Sequence, residues 1–204
     1  MKDQTQPITT VTGERVALGP IRRDHIPLYQ QWMNQLETTR FLRMGVYSFE
    51  NEEDWYEKMA RSETLDYLTI YGYPDLRPIG GTNLFKIDHA NRTAELGIMI
   101  GDPASRGKGL GTEAVKLMCD YGFNALGLNN IILMTFEWNI AGQKAYEKAG
   151  FKEIGRRRQA RWFAGRYWDD IYYDLLASEF ESPVVRNIIL DGVDLPENDN
   201  RASQ

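Results

Sequence analysis

Between Ala94 and Phe136 the chain reads as strand, glycine-rich turn, helix and strand, and this run constrains the fold more than any other. Ala94-Glu95-Leu96-Gly97-Ile98-Met99-Ile100 has the composition of a strand. It passes through Gly101-Asp102-Pro103 into Arg106-Gly107-Lys108-Gly109-Leu110-Gly111-Thr112. A helix follows, with Ala114, Val115, Leu117, Met118, Tyr121 and Phe123 as its apolar positions. Asn130 to Phe136 is a continuous apolar strand, a pattern that predicts burial on both faces and a parallel neighbour. Strand, helix and strand then form one right-handed crossover unit.

The flanks are consistent with a sheet around this unit. Arg15-Val16-Ala17-Leu18 reads as a first strand, closed by Gly19-Pro20. Asp24 is placed to cap a helix carrying Ile26, Leu28, Tyr29, Trp32 and Met33, and Ser48 and Asn51 to cap a second with Trp55 and Met59. Leu65 to Tyr73 and Pro78 to Phe85 are further strands, and Asp88-His89-Ala90-Asn91 is a hairpin turn. After Asn139 a short helix ends at Gly150, a natural left-handed cap. Phe151 to Arg158 and Tyr167 to Leu176, turning near Ala164-Gly165, complete the domain. Residues 1–12 read as a polar lead-in and 13–180 as one domain. Residues 181–204 read as a packed apolar arm with an acidic, frayed end, or, as a second reading, a strand swapped in a homodimer.

A chain of 204 residues has room for one substantial core. With 42% hydrophobic and 26% charged residues it is expected to be soluble and globular. No apolar stretch approaches the ~20 residues that span a bilayer, and the start, Met1-Lys2-Asp3-Gln4-Thr5, leads into polar residues, so a signal peptide is not expected. The single cysteine, Cys119, excludes an internal disulfide and has no metal-ligand neighbour. A cytoplasmic location is the expectation. The net charge of −5 argues against nonspecific nucleic-acid binding and suits a cationic substrate.

A glycine-rich turn at a helix start gathers backbone N–H groups into an anion site, and the helix dipole adds to it. Arg106 and Lys108 add full charges. The nucleotide P-loop is excluded, because Gly111 is followed by Thr112-Glu113 instead of lysine and a hydroxyl residue. The dinucleotide fingerprint is excluded by its different glycine spacing.

Arg106-x-x-Gly109-x-Gly111 resembles the coenzyme-A signature of the GNAT acetyltransferase superfamily. The resemblance extends over roughly residues 13–180 and is strongest to the branch with ribosomal-protein alanine and spermidine N-acetyltransferases. Its marks are Gly13-Glu14-Arg15-Val16, Asn91 to Gly97, Gly107 to Ala114, Asn139, and Tyr146-Glu147-Lys148-Ala149-Gly150-Phe151. The implied fold is α/β (α+β): a mixed, mostly antiparallel sheet, splayed at its central parallel strands and flanked by helices. The implied activity is acetyl-CoA-dependent N-acetylation of a primary amine, by direct attack within a ternary complex. By the same resemblance Ile98, Met99 and Ile100 would pair with the pantetheine arm. Arg106, Gly107, Lys108, Gly109, Leu110, Gly111 and Thr112 would hold the pyrophosphate, and Asn139 would hydrogen-bond the coenzyme.

Acetylation of an amine needs a deprotonated nucleophile, a polarised carbonyl and a proton for the leaving thiolate. Tyr146 is the candidate acid, with packing as its alternative. Glu95 is the candidate base, with Glu137 as rival and an ion pair to Arg92 as the structural alternative. Asn139 has a cap as its structural alternative, and Cys119 reads as a buried thiol. The basic group at Lys152, Arg156, Arg157, Arg158, Arg161 and Arg166 reads as a solvated strand face partly paired with Asp169 and Asp170. Two other functions stay open: a non-catalytic acetyl-CoA-binding module and a ribosome-associated protein. The acceptor is a protein N-terminus, a polyamine or another amine.

Overall fold

A computed structural model describes residues 6–42, 44–62 and 65–193 of the chain. Eight strands form one sheet: β1 (Val11–Thr12), β2 (Val16–Pro20), β3 (Asp66–Gly72), β4 (Arg77–Asp88), β5 (Thr93–Ile100), β6 (Asn130–Phe136), β7 (Lys152–Phe163) and β8 (Arg166–Leu176). Their spatial order is β1-β2-β3-β4-β5-β6-β8-β7. Every neighbouring pair is antiparallel except β5 and β6, which are parallel and joined through α4 (Leu110–Asp120). The helices α1 (Ile26–Met33), α2 (Leu36–Thr39) and α3 (Phe49–Ala60) lie between β2 and β3 in sequence, α5 (Ile140–Ala149) follows β6, and α6 (Val185–Leu190) follows β8.

Alternation along β3 shows how the sheet is covered. Leu68 and Ile70 belong to the main core, which includes Val115, Leu117 and Met118 of α4. The odd residues point the other way: Tyr67 meets Trp55 of α3, and the hydroxyls of Thr69 and Tyr29 of α1 share a hydrogen bond. Burying a side chain such as Leu117 contributes about 1.5–3 kcal/mol.

The parallel pair is short. It matches Thr93, Ala94 and Glu95 with Asn130, Ile131 and Ile132, and no register continues beyond Glu95. Residues 96–100 of β5 stay paired to β4, while residues 133–136 of β6 stay paired to β8. The sheet therefore opens into a wedge at its centre.

Local details depart from the sequence reading in informative ways. Asp24 does not cap α1; its carboxylate binds Arg22 at 2.9 Å within a short 3-10 turn, Arg23–His25. Ser48 and Asn51 do form a reciprocal capping box on α3. The parallel neighbour of β6 is present, but double burial is not its cause. Ile131, Leu133 and Thr135 are buried while Met134 is 36% exposed. The lead-in is partly structural, since Val11 is buried and β1 pairs with β2. Strand β7 runs past Arg158 to Phe163 across a bulge where the Asp169 carboxylate accepts the Gln159 N–H at 2.8 Å.

The C-terminal arm packs as expected up to α6. Asp120, fully buried at the end of α4, accepts the N–H groups of Val184 and Val185 at 2.9 and 2.8 Å. The acidic end, residues 194–204, and residues 1–5 of the lead-in lie outside the described residues. Among the described residues, no helix is long and apolar enough to cross a membrane.

Candidate active site

The glycine loop leaves the end of β5 through a 3-10 turn, Pro103–Ser105, and enters α4 at Gly109. Gly109 has φ +79°, and a Cβ built there would lie 3.3 Å from the Arg15 guanidinium, so a side chain is opposed by both backbone and neighbour. Among the described residues, none of the N–H groups from Gly107 to Thr112 has a hydrogen-bond partner. A run of such donors at the start of a three-turn helix is an anion cradle. The cradle is fixed from outside. Glu113 accepts the Arg15 and Val16 N–H groups and binds the Arg15 side chain at 3.0 Å, and Arg15 also donates to the Lys108 carbonyl.

The side chain of Arg106 is turned away from the cradle. Its guanidinium donates to the carbonyls of Ile100, Gly101 and Glu37 and, at 2.6 Å, to the Thr38 hydroxyl. Four internal acceptors occupy the fork, and the side chain ties the loop to α2. From the other side of the wedge, Trp138 donates its indole N–H to the Arg40 carbonyl at 3.2 Å. The segment around α2 is thus held to both strand ends. Neither contact has a local sequence signal, because both join residues far apart in the chain. Lys108 remains exposed beside the cradle.

Behind the open edge of β5 lies a cavity of about 590 Å³. Gly97, Ile98 and Met99 form part of its lining, with Tyr29 and Met33 of α1, Glu52 and Trp55 of α3, Tyr67 of β3 and Asn83 of β4. Trp55 meets Tyr67 and Tyr29 edge-on, at centroid distances of 4.9 and 5.6 Å. The absence of a side chain at Gly81 makes this wall fit: a Cβ there would be 2.4 Å from the Tyr67 hydroxyl. Burial, with Tyr29 and Glu52 nearby, pushes the Tyr67 phenol well above its ordinary pKa.

Glu95 is not among the residues lining this cavity. It shares a strand face with Gly97 and Met99 but sits at the paired end of β5, where Lys86 holds its carboxylate at 2.6 Å. Its ion-pair partner is Lys86, not Arg92, whose guanidinium donates to the Gly127 carbonyl. Glu137, the rival base, accepts the Asp169 N–H at 3.1 Å. The carboxylate that does face the cavity is Glu52, which sequence reasoning missed. It lies on the inward face of an otherwise acidic helix, where one glutamate among several carries no mark.

Tyr146 and Asn139 come together around β6. Asn139 caps α5, accepting the Gly142 N–H at 3.1 Å, and donates to the Thr135 hydroxyl at 3.0 Å. Both of its side-chain atoms have internal partners, so the capping role is the one on view. Tyr146 packs against Phe151 and Tyr173. Burial pushes its phenol up to about 12, opposed in part by the Thr135 hydroxyl. Cys119 is fully buried and its thiol is pushed up by burial and by Asp120, which leaves it inert as a nucleophile. On the basic face, Arg161 pairs with Asp170 at 2.8 Å and Arg156 with Glu153 at 2.7 Å.

Comparison with known proteins agrees with this architecture. Residues 15–152 match the acetyltransferase (GNAT) domain. The chain is 30% identical over 158 residues to alpha/beta-tubulin-N-acetyltransferase 9 of Homo sapiens, covering 72% of this chain and 76% of that one. It is also 30% identical over 157 residues to spermidine N(1)-acetyltransferase of Escherichia coli (strain K12), covering 76% and 83%. Among solved structures, spermidine N-acetyltransferase from Vibrio cholerae in complex with CoA and spermine superposes with a TM-score of 0.75 at 25% identity, over 82% of this chain and 98% of that one. The chain belongs to the GNAT acetyltransferases, enzymes that transfer an acyl group to nitrogen.

Proposed function

We propose that this chain acetylates a primary amine from acetyl-CoA, with the coenzyme held along the wedge and the amine entering from the cavity. One observation carries the reading: the unpaired N–H run from Gly107 to Thr112 and the cavity bordered by Gly97 to Met99 lie along one strand and the loop that leaves it. The backbone groups of the cradle fit a diphosphate, with Lys108 adding charge and Arg106 holding the loop in place. The β5 edge released by β6, at Ile98, Met99 and Ile100, suits an extended pantetheine arm. Bound acetyl-CoA supplies the acyl group as a thioester.

The residues of the chain then divide the work. Tyr146, neutral at physiological pH because its phenol titrates only near 12, holds the proton that the departing thiolate requires. Asn139 and Thr135 orient this corner, and Asn139 reaches the coenzyme only by exchanging one of its present partners. Proton removal from the amine is not assigned to Glu95, whose carboxylate is engaged by Lys86. No nucleophilic side chain is needed, in keeping with the buried state of Cys119. The test is thiol release from acetyl-CoA across a panel of amines, with mass spectrometry of the protein mixed with acetyl-CoA alone. Amine-dependent thiol release with no acetylated protein is expected. A stable acetyl adduct that an amine discharges would replace direct attack with a two-step route.

A further inference from the structure

Among the described residues, one carboxylate of the cavity has no partner. Glu52 is only 5% exposed, yet no side-chain hydrogen bond or opposite charge from these residues acts on it, and burial raises its pKa. Its oxygens are not sealed in protein. Among the described residues, the fully buried polar side-chain atoms that lack a partner belong to Tyr71 and Asp170, so the Glu52 oxygens keep contact with the cavity they help to line. A desolvated acid facing an open volume is costly unless a ligand compensates it.

The surroundings define that ligand. Glu52 is the sole charged residue among those described as lining the cavity. Met33, Leu42, Met44 and Val46 add apolar side chains to the lining, and Trp55 and Tyr67, packed edge-to-face, add aromatic ones. An acid at one point and hydrocarbon elsewhere match one ammonium on an apolar carrier. A polyamine would set its remaining charges against methionine and leucine side chains. We infer that Glu52 is the acceptor-recognition residue and that the preferred acceptor is a singly charged primary amine attached to an apolar group. This rests on the acetyltransferase reading above and narrows its substrate. A peptide N-terminus with an apolar first side chain and a small arylalkylamine share this chemistry.

The experiment measures thiol release at saturating acetyl-CoA with a methionine-initiated tetrapeptide, tyramine and spermidine, using wild type and Glu52→Gln. At least one of the first two amines should exceed spermidine in kcat/KM by about tenfold or more. Which of the two is better identifies the source of the amine. Glu52→Gln should raise KM for the preferred amine about 10- to 100-fold with kcat changed less than fivefold. Its affinity for CoA by calorimetry should stay within twofold, and its Tm should hold or rise, since an unpaired buried charge has been removed. In the CoA complex the preference for tyramine over its neutral alcohol analogue should disappear in the variant, which a purely structural role would not produce. Spermidine as the best acceptor, or an unchanged KM in a folded Glu52→Gln protein, overturns the inference while leaving the acetyltransferase reading intact. Failure of every amine to release thiol from a chain that binds acetyl-CoA overturns the parent reading, and this one with it.

Discussion

The glycine loop draws its unpaired N–H groups from consecutive residues, Gly107 to Thr112, whereas the cavity draws its lining from α1, α3, β3, β4 and β5. In the proposed reading the loop would work through main-chain N–H groups, so its chemistry would depend on backbone conformation. The cavity would work through one side chain, Glu52, set among aromatic and aliphatic neighbours. A backbone site of this kind tolerates little change in sequence, because each side chain added to the loop obstructs the ligand. A side-chain site can change specificity by substitution at the lining alone. The two regions meet at β5, whose Gly97, Ile98 and Met99 line the cavity and whose end leads into the loop.

The sharpest way to break this contrast is Gly109→Val. At φ +79° a β-branched residue is strained, and its side chain would meet Arg15. We expect CoA affinity to fall by about 10³-fold or more, with an intact fold by circular dichroism. The strain itself costs on the order of 1–3 kcal/mol of stability. Unchanged calorimetric affinity in the folded variant would remove the loop from the coenzyme site.

Tyr146→Phe tests the chemistry between the two regions. Loss of the phenolic proton should lower kcat about 10²-fold under conditions where chemistry limits the rate, leaving CoA affinity within twofold. The sign of the pH effect follows from the raised pKa. With the phenol titrating near 12, its donor form is the dominant one throughout neutral and mildly basic pH. In the wild type, kcat should therefore show no basic limb up to pH 10. A limb near pH 9, absent from Tyr146→Phe, would mean that the phenol ionises far more easily than its buried setting allows.

Legibility in the sequence follows the same division. The strand–turn–helix–strand order from Ala94 to Phe136 was legible, because turn chemistry and strand composition are properties of neighbouring residues, although the double burial expected of residues 130–136 is absent. Ser48 with Asn51, and Gly150 with φ +106°, were readable for the same reason. Glu52 was not. Its burial depends on β3 and β4 arriving behind α3, and in sequence it is one acid among Glu50, Glu53 and Asp54. Arg106 shows both kinds of signal: its position in a glycine-rich pattern is local, but its hydrogen bonds to Glu37 and Thr38 are not. Asp24 misled, since Arg22 two residues away competes for the carboxylate that a helix cap would use.

Arg106→Lys sharpens the point at intermediate size. A lysine carries the charge but cannot reproduce a fork that reaches four acceptors. If Arg106 is a strut, stability should fall by about 1–2 kcal/mol, visible as a lower Tm, while CoA affinity falls less than tenfold. The acceptor KM should also rise, because Leu42, three residues beyond the end of α2, lines the cavity. A variant with unchanged Tm and a much weaker CoA complex would restore Arg106 as a direct phosphate ligand.

The smallest effect is expected at Glu95→Gln. The carboxylate lies on the strand face of Gly97 and Met99, which is why a role as base suggested itself, but alternation along a strand fixes the face and not the distance. Lys86 holds it at the paired end of β5, a third of its side chain remains exposed at 34%, and the cavity lies farther along the strand. An exposed pair of this kind contributes about 0–1 kcal/mol to stability. Glu95→Gln should therefore keep kcat/KM within threefold of wild type, with the same acidic limb in its pH profile. The profile matters more than the rate. If Glu95→Gln lowers kcat/KM by tenfold or more and shifts or removes the acidic limb, the carboxylate exchanges Lys86 for the amine during turnover. Proton removal would then belong to β5, and the division between a backbone-built coenzyme site and an acceptor site governed by α3 would fail at the strand where they meet.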